Sequence, residues 1–463
     1  MSFELRTSNF ERDLRAIVEV APLVRSGALL PIDLVRSCLD QIDARPHVNA
    51  FTTVLQDSAL DEAKRAASEI RAGRWRGPLH GIPIAVKDLI DVAGTRTTSG
   101  SKVPSIEAAA DAPVVRSLRE AGAIIIGKTN LHEFAFGTTS DESAFGPVRN
   151  PFDETRSAGG SSGGSAAALA TGMCFGAIGT DTGGSIRIPS AACGTIGLKP
   201  TFGELPTAGV VPLSPSLDHV GPMTRSVADA AVLLQVMKGM QPTGLLAAPR
   251  RLVFGIPRSF FADHVDEDVG RALEAARTAL AENGHEAVDV EIEHAKATAD
   301  VYLHIVLPEA SWYHTPLLER HASSYSPGVR LRLEMGGYVL AEDYIRALKL
   351  KEALTLRVDR ALEGCDALLL PCLPTGAPPL GATTVEINGR TEPVRGSMLR
   401  LTQLFNLTGH PVVALPAGSG RDGMPRGMQV VGMRNGTERL LAVAAATASQ
   451  ISGGAGSVGG GTG

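Results

Sequence analysis

The sequence predicts an α/β fold built around a mostly parallel or mixed β-sheet. Short apolar, β-branched segments alternate with longer amphipathic ones along most of the chain, which is typical of a sheet covered by helices. The 463 residues are 44% apolar and 20% charged, so the chain buries a large core and is too apolar for disorder. No internal repeat and no Pro/Ser-rich linker divides it, although its length alone would allow two or three domains.

The first segment, residues 1–75, is predicted to be helical and to pack on the core. Apolar residues at 3.6-residue spacing predict a helix over 32–42, and an alanine-rich, charged stretch predicts a second helix over 59–72. Both patterns leave one apolar face on each helix. We therefore expect these helices to cover part of the sheet.

The second segment, residues 76–450, carries the alternating elements. Residues 81–87 form a predicted buried strand that ends in a lysine. Asp111 is the predicted N-cap of a helix over 112–121, and a β-branched strand follows at 123–126. The same rules predict helices near 164–173, 226–238 (with Ser226 as N-cap), 266–282 and 342–363, and strands near 174–180, 252–256, 367–370, 411–415 and 427–432.

Glycine is the unusual residue, with 51 of 463 positions against a background of about 7%. Residues 137–209 hold 15 of these glycines, and the last eleven residues hold seven. The tail, residues 451–463, is therefore interpreted as flexible, and residues 373–396, rich in proline and glycine, as a long loop or hairpin. The remaining surplus concentrates in one block, where we look for a site.

Charge and cysteine content exclude several classes of protein. A net charge of −5 argues against a nucleic-acid binder, which needs a basic surface. The five cysteines lack C-x-x-C spacing, so neither a disulfide framework nor a structural zinc site is expected. The N-terminus has charges of both signs and no apolar signal-peptide core. These features predict a cytoplasmic protein that does not enter a membrane.

One stretch matches the phosphate-loop pattern G-x-x-x-x-G-K-[ST]. Residues 122–129 read GAIIIGKT, but three consecutive isoleucines favour a buried strand rather than a flexible phosphate-binding loop. Nucleotide binding is therefore disfavoured.

A second pattern, G-x-S-x-G, occurs at residues 159–163 and again one residue later. A nucleophile elbow needs a strand before it and an acid and a histidine after it. Residues 153–158 are polar and not strand-like, and His219 and His410 are isolated. An α/β-hydrolase triad is disfavoured for these reasons.

A larger set of motifs is more specific. Residues 157–170 read SAGGSSGGSAAALA, residues 179–189 read GTDTGGSIRIP, and residues 193–201 read CGTIGLKPT. Together they resemble the amidase signature family. Four further stretches resemble the same family: GPLHGIPIAVKD at 77–88, GKTNLHEFAFG at 127–137, SLDHVGP at 216–222 and NLTGHP at 406–411.

The resemblance covers roughly residues 30–450. Residues 240–360 resemble nothing assignable and are expected to form a variable substrate-pocket region. The fold implied is a single large domain with a central twisted mixed β-sheet flanked by helices.

The resemblance implies a Ser–cis-Ser–Lys triad. By position, Ser185 matches the family nucleophile, Ser161 the bridging serine that follows a cis peptide bond, and Lys87 the base. The chemistry of the residues agrees, because a serine hydroxyl needs an adjacent base and the glycine-rich block contains no histidine. A lysine acts as a base only when burial or nearby positive charge lowers its pKa. The alternative is a surface lysine at the end of a strand.

The remaining site residues follow from the same resemblance. The backbone amides of residues 182–185 are expected to form the oxyanion hole, and Ser162 to hold the triad by a hydrogen bond. Arg187 either contacts substrate or pairs with Asp181 to hold the loop, and the pair is favoured. Gly137 and Thr138 are expected to line the pocket. The oxyanion set is thus Thr182, Gly183, Gly184 and Ser185, and the supporting set is Ser162, Asp181 and Arg187.

The function implied is hydrolysis of carbon–nitrogen bonds other than peptide bonds, in linear amides, through a seryl acyl-enzyme with no metal or organic cofactor. A small amide-type molecule is the expected substrate, related aryl amides, carbamates and esters included. No nucleic-acid or membrane partner is expected, and self-association into a homo-oligomer stays open. Two alternatives remain: the glutaminase component of a tRNA-dependent amidotransferase, and a non-catalytic binding protein on the same scaffold.

The substrate itself is less determined by the sequence. We expect an uncharged, fairly hydrophobic amide or anilide. Six side chains in the unassigned region either line its pocket or belong to the core: Trp312, Tyr313, His314, Tyr325, Met335 and Tyr338.

Overall fold

An eleven-stranded mixed sheet forms the centre of the structure, a computed structural model that describes residues 15–451. Its strands are β1 (Phe51–Val54), β2 (Pro83–Lys87), β3 (Ile124–Thr129), β6 (Gly176–Asp181), β7 (Ile196–Lys199), β8 (His219–Thr224), β9 (Val253–Pro257), β10 (Glu286–Val290), β11 (Ala367–Pro371), β14 (Val412–Ser419) and β15 (Pro425–Val431). Two small hairpins lie outside it: β4 (Arg149–Asn150) with β5 (Asp153–Ser157), and β12 (Thr384–Ile387) with β13 (Arg390–Pro393).

The spatial order of the sheet is β1-β3-β2-β6-β8-β7-β14-β15-β11-β9-β10. β2 runs parallel to both β3 and β6, and β9 runs parallel to both β10 and β11. The other pairs are antiparallel. The predicted α/β fold with a central mixed sheet is therefore confirmed.

Helices cover the sheet and its ends. They are α1 (Ile17–Ser26), α2 (Pro31–Ala44), α3 (Gln56–Arg71), α4 (Pro113–Glu120), α5 (Gly163–Ala170), α6 (Arg187–Ala192), α7 (Val227–Met237), α8 (Glu267–Glu282), α9 (Thr298–His321), α10 (Pro327–Gly336), α11 (Ala341–Ala361), α12 (Val394–Arg400), α13 (Gln403–Leu407) and α14 (Thr437–Ile451). Short 3-10 turns occur at Pro46–Val48, Glu133–Ala135, Ala295–Ala297 and Ala322–Ser324.

The N-terminal segment is not entirely helical. Strand β1 follows α2 and pairs antiparallel with β3, with Phe51 opposite Thr129 and Val54 opposite Gly127. Its four residues, Phe-Thr-Thr-Val, are aromatic and β-branched, which favours a strand, but a four-residue edge strand is too short to produce a periodic pattern. The segment therefore supplies both covering helices and one edge of the sheet.

Two predicted helix caps have different outcomes. Ser226 caps α7 as expected, since its Oγ accepts a hydrogen bond from the Asp229 amide at 3.1 Å. The prediction that Asp111 caps α4 was wrong: Ala112 occupies the N-cap position, and Asp111 Oδ1 accepts from the Ala93 amide at 2.8 Å. The Asp111 carboxylate is therefore bonded to the Ala93 amide in a nearby loop and does not cap α4.

Two further expectations concern the loops. Residues 373–396 contain the predicted hairpin, formed by β12 and β13. Residues 153–158, predicted not to be a strand, do form β5, because a partner strand at 149–150 satisfies part of its backbone. The glycine-rich tail lies outside the described residues from 452 onward.

No helix within residues 15–451 is both long enough and apolar enough to cross a lipid bilayer.

The parallel neighbours β2 and β6 position the candidate site. Val86 lies opposite Ile178, so Lys87, the last residue of β2, lies beside the end of β6. Helix α5 begins close by and approaches the backbone closely: a Cβ on Gly164 would lie 2.3 Å from the Asn130 carbonyl oxygen. Only glycine permits this approach, which brings the serine-rich segment before α5 against the strand ends.

Candidate active site

Lys87 is fully buried at the end of β2. Its Nζ donates to Ser161 Oγ at 2.7 Å and to Thr180 Oγ1 at 2.9 Å. Burial lowers the pKa of Lys87 to about 7, against the opposing influence of the Asp181 and Asp218 carboxylates. At neutral pH a large fraction of this amine is therefore unprotonated. The interpretation of Lys87 as a surface lysine was wrong.

A second buried lysine provides the contrast. Lys128 lies opposite Val86 on the neighbouring strand β3 and is equally buried. Its Nζ forms an ion pair with the Asp88 carboxylate at 2.8 Å. This pair, on strand β3, also removes the phosphate-loop interpretation of residues 122–129, because Lys128 is held in the core.

Ser161 follows a cis peptide bond, Gly160–Ser161, as the resemblance implied. Its carbonyl oxygen accepts from Ser140 Oγ at 3.2 Å and from the His132 amide at 3.2 Å. The chain is tightly packed here, since a Cβ on Gly160 would lie 2.9 Å from the Thr138 carbonyl carbon. The Ser161 side chain is therefore held toward Lys87.

Ser162 joins the two serine segments. Its backbone N–H donates to the Ser185 carbonyl at 3.1 Å, and its Oγ donates to the Thr180 carbonyl at 3.2 Å. Ser185 is almost completely buried. The structure thus brings Lys87, Ser161 and Ser185 close together, although they are separated by up to 98 residues in the sequence. Ser162 forms hydrogen bonds both to Ser185 and to Thr180, which itself contacts Lys87.

The segment Thr182–Ser185 is fixed from two directions. Thr182 Oγ1 donates to Asp218 Oδ1 at 2.6 Å, and Thr402 Oγ1 donates to the Gly183 carbonyl at 2.6 Å. Gly184 has φ of +139°, and a Cβ there would lie 2.3 Å from Thr402 Oγ1. Because the carbonyl and N–H of a trans peptide point in opposite directions, the amide of Gly184 faces away from Thr402.

Asp181 and Arg187 form a buried bidentate pair that closes the loop carrying Ser185. Arg187 Nε and Nη2 donate to the two Asp181 carboxylate oxygens, each at 3.0 Å. Burial alone would raise the pKa of Asp181, but the guanidinium lowers it below its usual range. The other three N–H groups of Arg187 donate to the Thr402 carbonyl, Gln429 Oε1 and Asn406 Oδ1. All five guanidinium donors are used, so none is left for a substrate.

A cavity of about 760 Å³ lies near the site; its wall includes Thr138, which packs against Gly160, whereas Lys87, Ser161 and Ser185 are not among the described residues that line it. Gly137 and Thr138 lie in its wall, and their contact with substrate stays a prediction. The opposite wall includes Arg332 of α10 and Arg395 of α12.

None of the six side chains singled out in the variable region is among the described residues that line this cavity. Trp312 and Tyr338 are exposed, with 74% and 86% of their surface accessible. His314 and Tyr325 are buried and hydrogen-bonded to each other at 2.9 Å, and both rings pack against Phe134. His314 and Tyr325 therefore belong to the core.

The histidines considered for a hydrolase triad are bonded elsewhere. His219 Nδ1 lies 2.7 Å from the Leu217 carbonyl and its Nε2 lies 3.1 Å from Lys199 Nζ. His410 contacts Thr408 Oγ1 at 2.9 Å and Asp359 Oδ1 at 3.0 Å. These contacts engage both ring nitrogens of each histidine, which supports the rejection of that triad.

Sequence reasoning missed several residues of the site. Thr180, Asp218 and Asn406 lie inside recognised motifs but carry no individual signal. Arg395 lies at the end of the proline- and glycine-rich stretch 373–396 and Thr402 follows it, and neither belongs to a diagnostic pattern. Tyr302 and Arg332 lie in the unassigned region, where only the tertiary structure reveals their position.

Comparison with known proteins bears on this geometry. A family model described as Amidase matches residues 33–441. The chain belongs to the amidase family. Membership makes it a hydrolase of carbon–nitrogen bonds in linear amides, and the expected family and enzyme class are confirmed.

Several individual relatives agree. An amidase of Pseudomonas putida is 40% identical over 425 residues, which cover 88% of this chain and 90% of that protein. A glutamyl-tRNA(Gln) amidotransferase subunit from Geobacter metallireducens is 36% identical, covering 92% of this chain and 95% of that one. A crystal structure of an amidase superposes with a TM-score of 0.90 at 39% identity, covering 93% of this chain and 98% of that one.

The first prediction concerns the Asp181–Arg187 pair. Replacing Arg187 with methionine leaves the Asp181 carboxylate buried without its counter-charge, so the free energy of unfolding should fall by about 3–5 kcal/mol. Denaturant titration of the purified variant measures this loss. Arg346→Met is the matched control, because Arg346 is exposed on α11 and pairs with Glu342 and Asp343 at the surface. Its loss should stay below about 1 kcal/mol.

A different outcome would restore the alternative role of Arg187. Unchanged stability of Arg187→Met, together with a raised KM and unchanged kcat, would indicate a substrate contact instead of a structural pair.

The second prediction concerns pH. If Lys87 is the base, only its neutral form is active, so kcat/KM should fall about tenfold per pH unit below the pKa of about 7. The pH–rate profile measures this limb. Asp218 is the competing group, since burial raises its pKa to about 6.

The variant Asp218→Asn separates the two groups. Removal of its negative charge should lower the pKa of Lys87 and move the acid limb to lower pH without abolishing it. Disappearance of the limb would assign it to Asp218 instead.

Proposed function

We propose that this chain hydrolyses small amides through an acyl-enzyme on Ser185, with Lys87 as general base and Ser161 as the proton relay. The observation that carries the proposal is the fully buried Lys87 Nζ, 2.7 Å from Ser161 Oγ and beside the segment that holds Ser185. A neutral amine in hydrogen-bond contact with one serine, and a second serine alongside, is an arrangement that activates a hydroxyl nucleophile.

In the acylation step, neutral Lys87 takes the hydroxyl proton of Ser161, and Ser161 takes the proton of Ser185. Ser185 Oγ forms a bond to the carbonyl carbon of the amide, whose oxygen becomes negatively charged. The ammonium on Lys87 is formed as this charge develops. Both charges appear together in a site from which water is largely excluded, where each stabilises the other.

The developing oxyanion would be bound by backbone N–H groups of Thr182, Gly183, Gly184 and Ser185. The bond from Thr402 Oγ1 to the Gly183 carbonyl supports this assignment, because it turns the following N–H to the opposite side of the peptide. A preorganised donor costs no reorganisation during the reaction.

The tetrahedral intermediate then collapses. The carbon–nitrogen bond breaks, and the proton held by Lys87 returns through Ser161 to the leaving nitrogen. Water attacks the resulting ester by the same relay and releases the carboxylic acid and free Ser185. Ser162, Asp181 and Arg187 act as positioning residues, since they hold these segments without facing the substrate.

The sequence raised two alternative functions. The similarity to a glutamyl-tRNA(Gln) amidotransferase subunit favours a glutaminase that works within a complex, whereas the stretch at 406–411 resembles stand-alone amidases. A non-catalytic binding protein is opposed by the buried Lys87, whose lowered pKa has no evident structural use. The cytoplasmic location, the lack of a nucleic-acid partner and the open homo-oligomer question remain predictions from the sequence.

The third prediction tests the nucleophile. Ser185→Ala should lower kcat by about 10³-fold or more and leave the fold intact, because no other hydroxyl replaces the attacking oxygen. Amide turnover and circular dichroism measure these effects. Ser26→Ala, at an exposed position of α1, is the matched control and should keep full activity.

Covalent labelling adds a direct readout. A fluorophosphonate probe should label the wild-type protein on a peptide that contains Ser185 and should not label Ser185→Ala. Equal labelling of both proteins would contradict the assignment.

The fourth prediction tests the relay. Ser161→Ala breaks the only link between Lys87 and Ser185 that the proposal contains, so turnover should fall about 10²-fold or more. Thr180→Val removes the second hydrogen bond of Lys87 but keeps the relay. Thr180→Val should therefore cost less than Ser161→Ala, and the reverse order would argue against a relay through Ser161.

A further inference from the structure

Two arginines in the cavity wall have buried N–H groups without hydrogen-bond partners. The Nε of Arg395 and the Nε and Nη2 of Arg332 are buried and form no hydrogen bond to any described residue. Buried donors are nearly always satisfied in folded proteins, and guanidinium groups are always protonated near neutral pH. Such unsatisfied donors in a cavity indicate a ligand that completes them.

The two side chains meet at one aromatic ring. The guanidinium carbon of Arg332 lies 5.3 Å from the centre of the buried Phe136 ring, and that of Arg395 lies 5.7 Å from it. One arginine comes from α10 and the other from α12, so two separate elements converge here. The ring contributes cation–π attraction to both but accepts no charged hydrogen bond.

The charges around the arginines are unequal. Arg332 Nη2 lies 3.6 Å from Glu142 Oε2, which also lies 3.5 Å from His132 Nε2. Arg395 forms no ion pair with any carboxylate of the described residues, and the Tyr302 hydroxyl is the one ionisable neighbour that supports its charge. An unpaired buried charge is costly. Arg395 is half-buried, and a negative group beside it would meet both its unpaired positive charge and its unsatisfied Nε–H.

Tyr302 connects this region to the proposed oxyanion hole. A Cβ on Gly183 would lie 2.6 Å from the Tyr302 hydroxyl oxygen, so the phenol touches the segment that precedes Ser185. On the other wall, Thr138 packs against Gly160. The cavity wall is therefore linked to both serine segments, through Thr138 to Gly160 and through Tyr302, a neighbour of Arg395, to Gly183.

We propose that Arg395, assisted by Arg332, binds a carboxylate of the substrate, and that the chain is selective for amides that carry this negative charge on the acyl side. The proposal rests on the proposed function and defines its substrate class. A guanidinium matches a carboxylate with two parallel N–H···O bonds. This substrate class differs from the uncharged, hydrophobic amide that the sequence led us to expect.

The test uses pairs of amides that differ in charge but not in length. Succinamate, glutaramate and adipamate are compared with butyramide, pentanamide and hexanamide. The proteins are wild type, Arg395→Gln, Arg395→Lys and Arg330→Gln. Arg330 is the matched control, because it lies on α10 with Arg332 but is exposed and pairs with Glu334.

For wild-type protein and Arg330→Gln, kcat/KM should favour the best acidic amide over its neutral partner. In Arg395→Gln this preference should fall about 10- to 100-fold, the usual effect of losing a charged hydrogen-bonded contact, because kcat/KM for the acidic amide falls more than kcat/KM for its neutral partner. Arg395→Lys should recover part of the preference. A wild-type preference for every neutral amide, or an equal loss on acidic and neutral amides in Arg395→Gln, would overturn the proposal.

Binding separates this proposal from the catalytic one. Calorimetry with the Ser185→Ala protein measures the affinity for the same acidic and neutral amides without turnover. Tighter binding of the acidic member, lost when Arg395→Gln is added, supports the anion site even if wild-type Ser185 resists the fluorophosphonate probe and the proposed chemistry fails. Equal binding of both members, in a protein that the probe does label, rejects the anion site and leaves the proposed function intact.

Discussion

The site depends on one constraint: a lysine amine is held in the core by hydroxyl groups rather than by a carboxylate. Two lysines lie on adjacent strands and both are fully buried. Lys128 keeps its charge balanced by Asp88 at 2.8 Å, whereas Lys87 donates to the hydroxyls of Ser161 and Thr180. Hydroxyls serve a neutral amine as well as an ammonium, so burial lowers the pKa of Lys87 to about 7. The same fold thus contains a structural lysine and a lysine suited to proton transfer, distinguished by their contacts alone.

The rest of the site preserves that arrangement. The charges of Asp181 and Arg187 compensate each other in the core, and every N–H group of the guanidinium donates a hydrogen bond. These bonds fix the two ends of the segment that carries Ser185. Thr402 then orients the Gly183 peptide from a distant part of the chain. Removing any of these contacts would leave a buried polar group unsatisfied, at a cost comparable to a large part of a domain's stability. The precision of the site therefore depends on the packing of the whole sheet.

The arginines in the cavity wall differ from Arg187 in their hydrogen bonding. Arg187 has no free donor, while Arg395 and Arg332 retain buried donors that the described residues do not satisfy. Arg332 has Glu142 as its counter-charge, whereas Arg395 has no carboxylate partner among the described residues, and an unpaired cation in a cavity wall favours the binding of an anion. This difference between satisfied and unsatisfied arginines separates residues that hold the structure from residues that select a ligand.

The sequence by itself determined the α/β class, the positions of about half of the helices and strands to within a few residues, and the motifs that contain Lys87, Ser161 and Ser185. These features are encoded by local periodicity, by residues with distinctive backbone preferences such as glycine, and by contiguous sequence motifs. It did not determine strand β1, the cap of α4 or the role of Arg395, because each is decided by a partner distant in the chain. The motifs singled out Lys87 and favoured the Asp181–Arg187 pair, but only the tertiary structure showed that Lys128 is paired with Asp88 and that Arg395 lacks a carboxylate partner among the described residues. The state of a buried charge depends on what lies opposite it, and no local pattern encodes that neighbour.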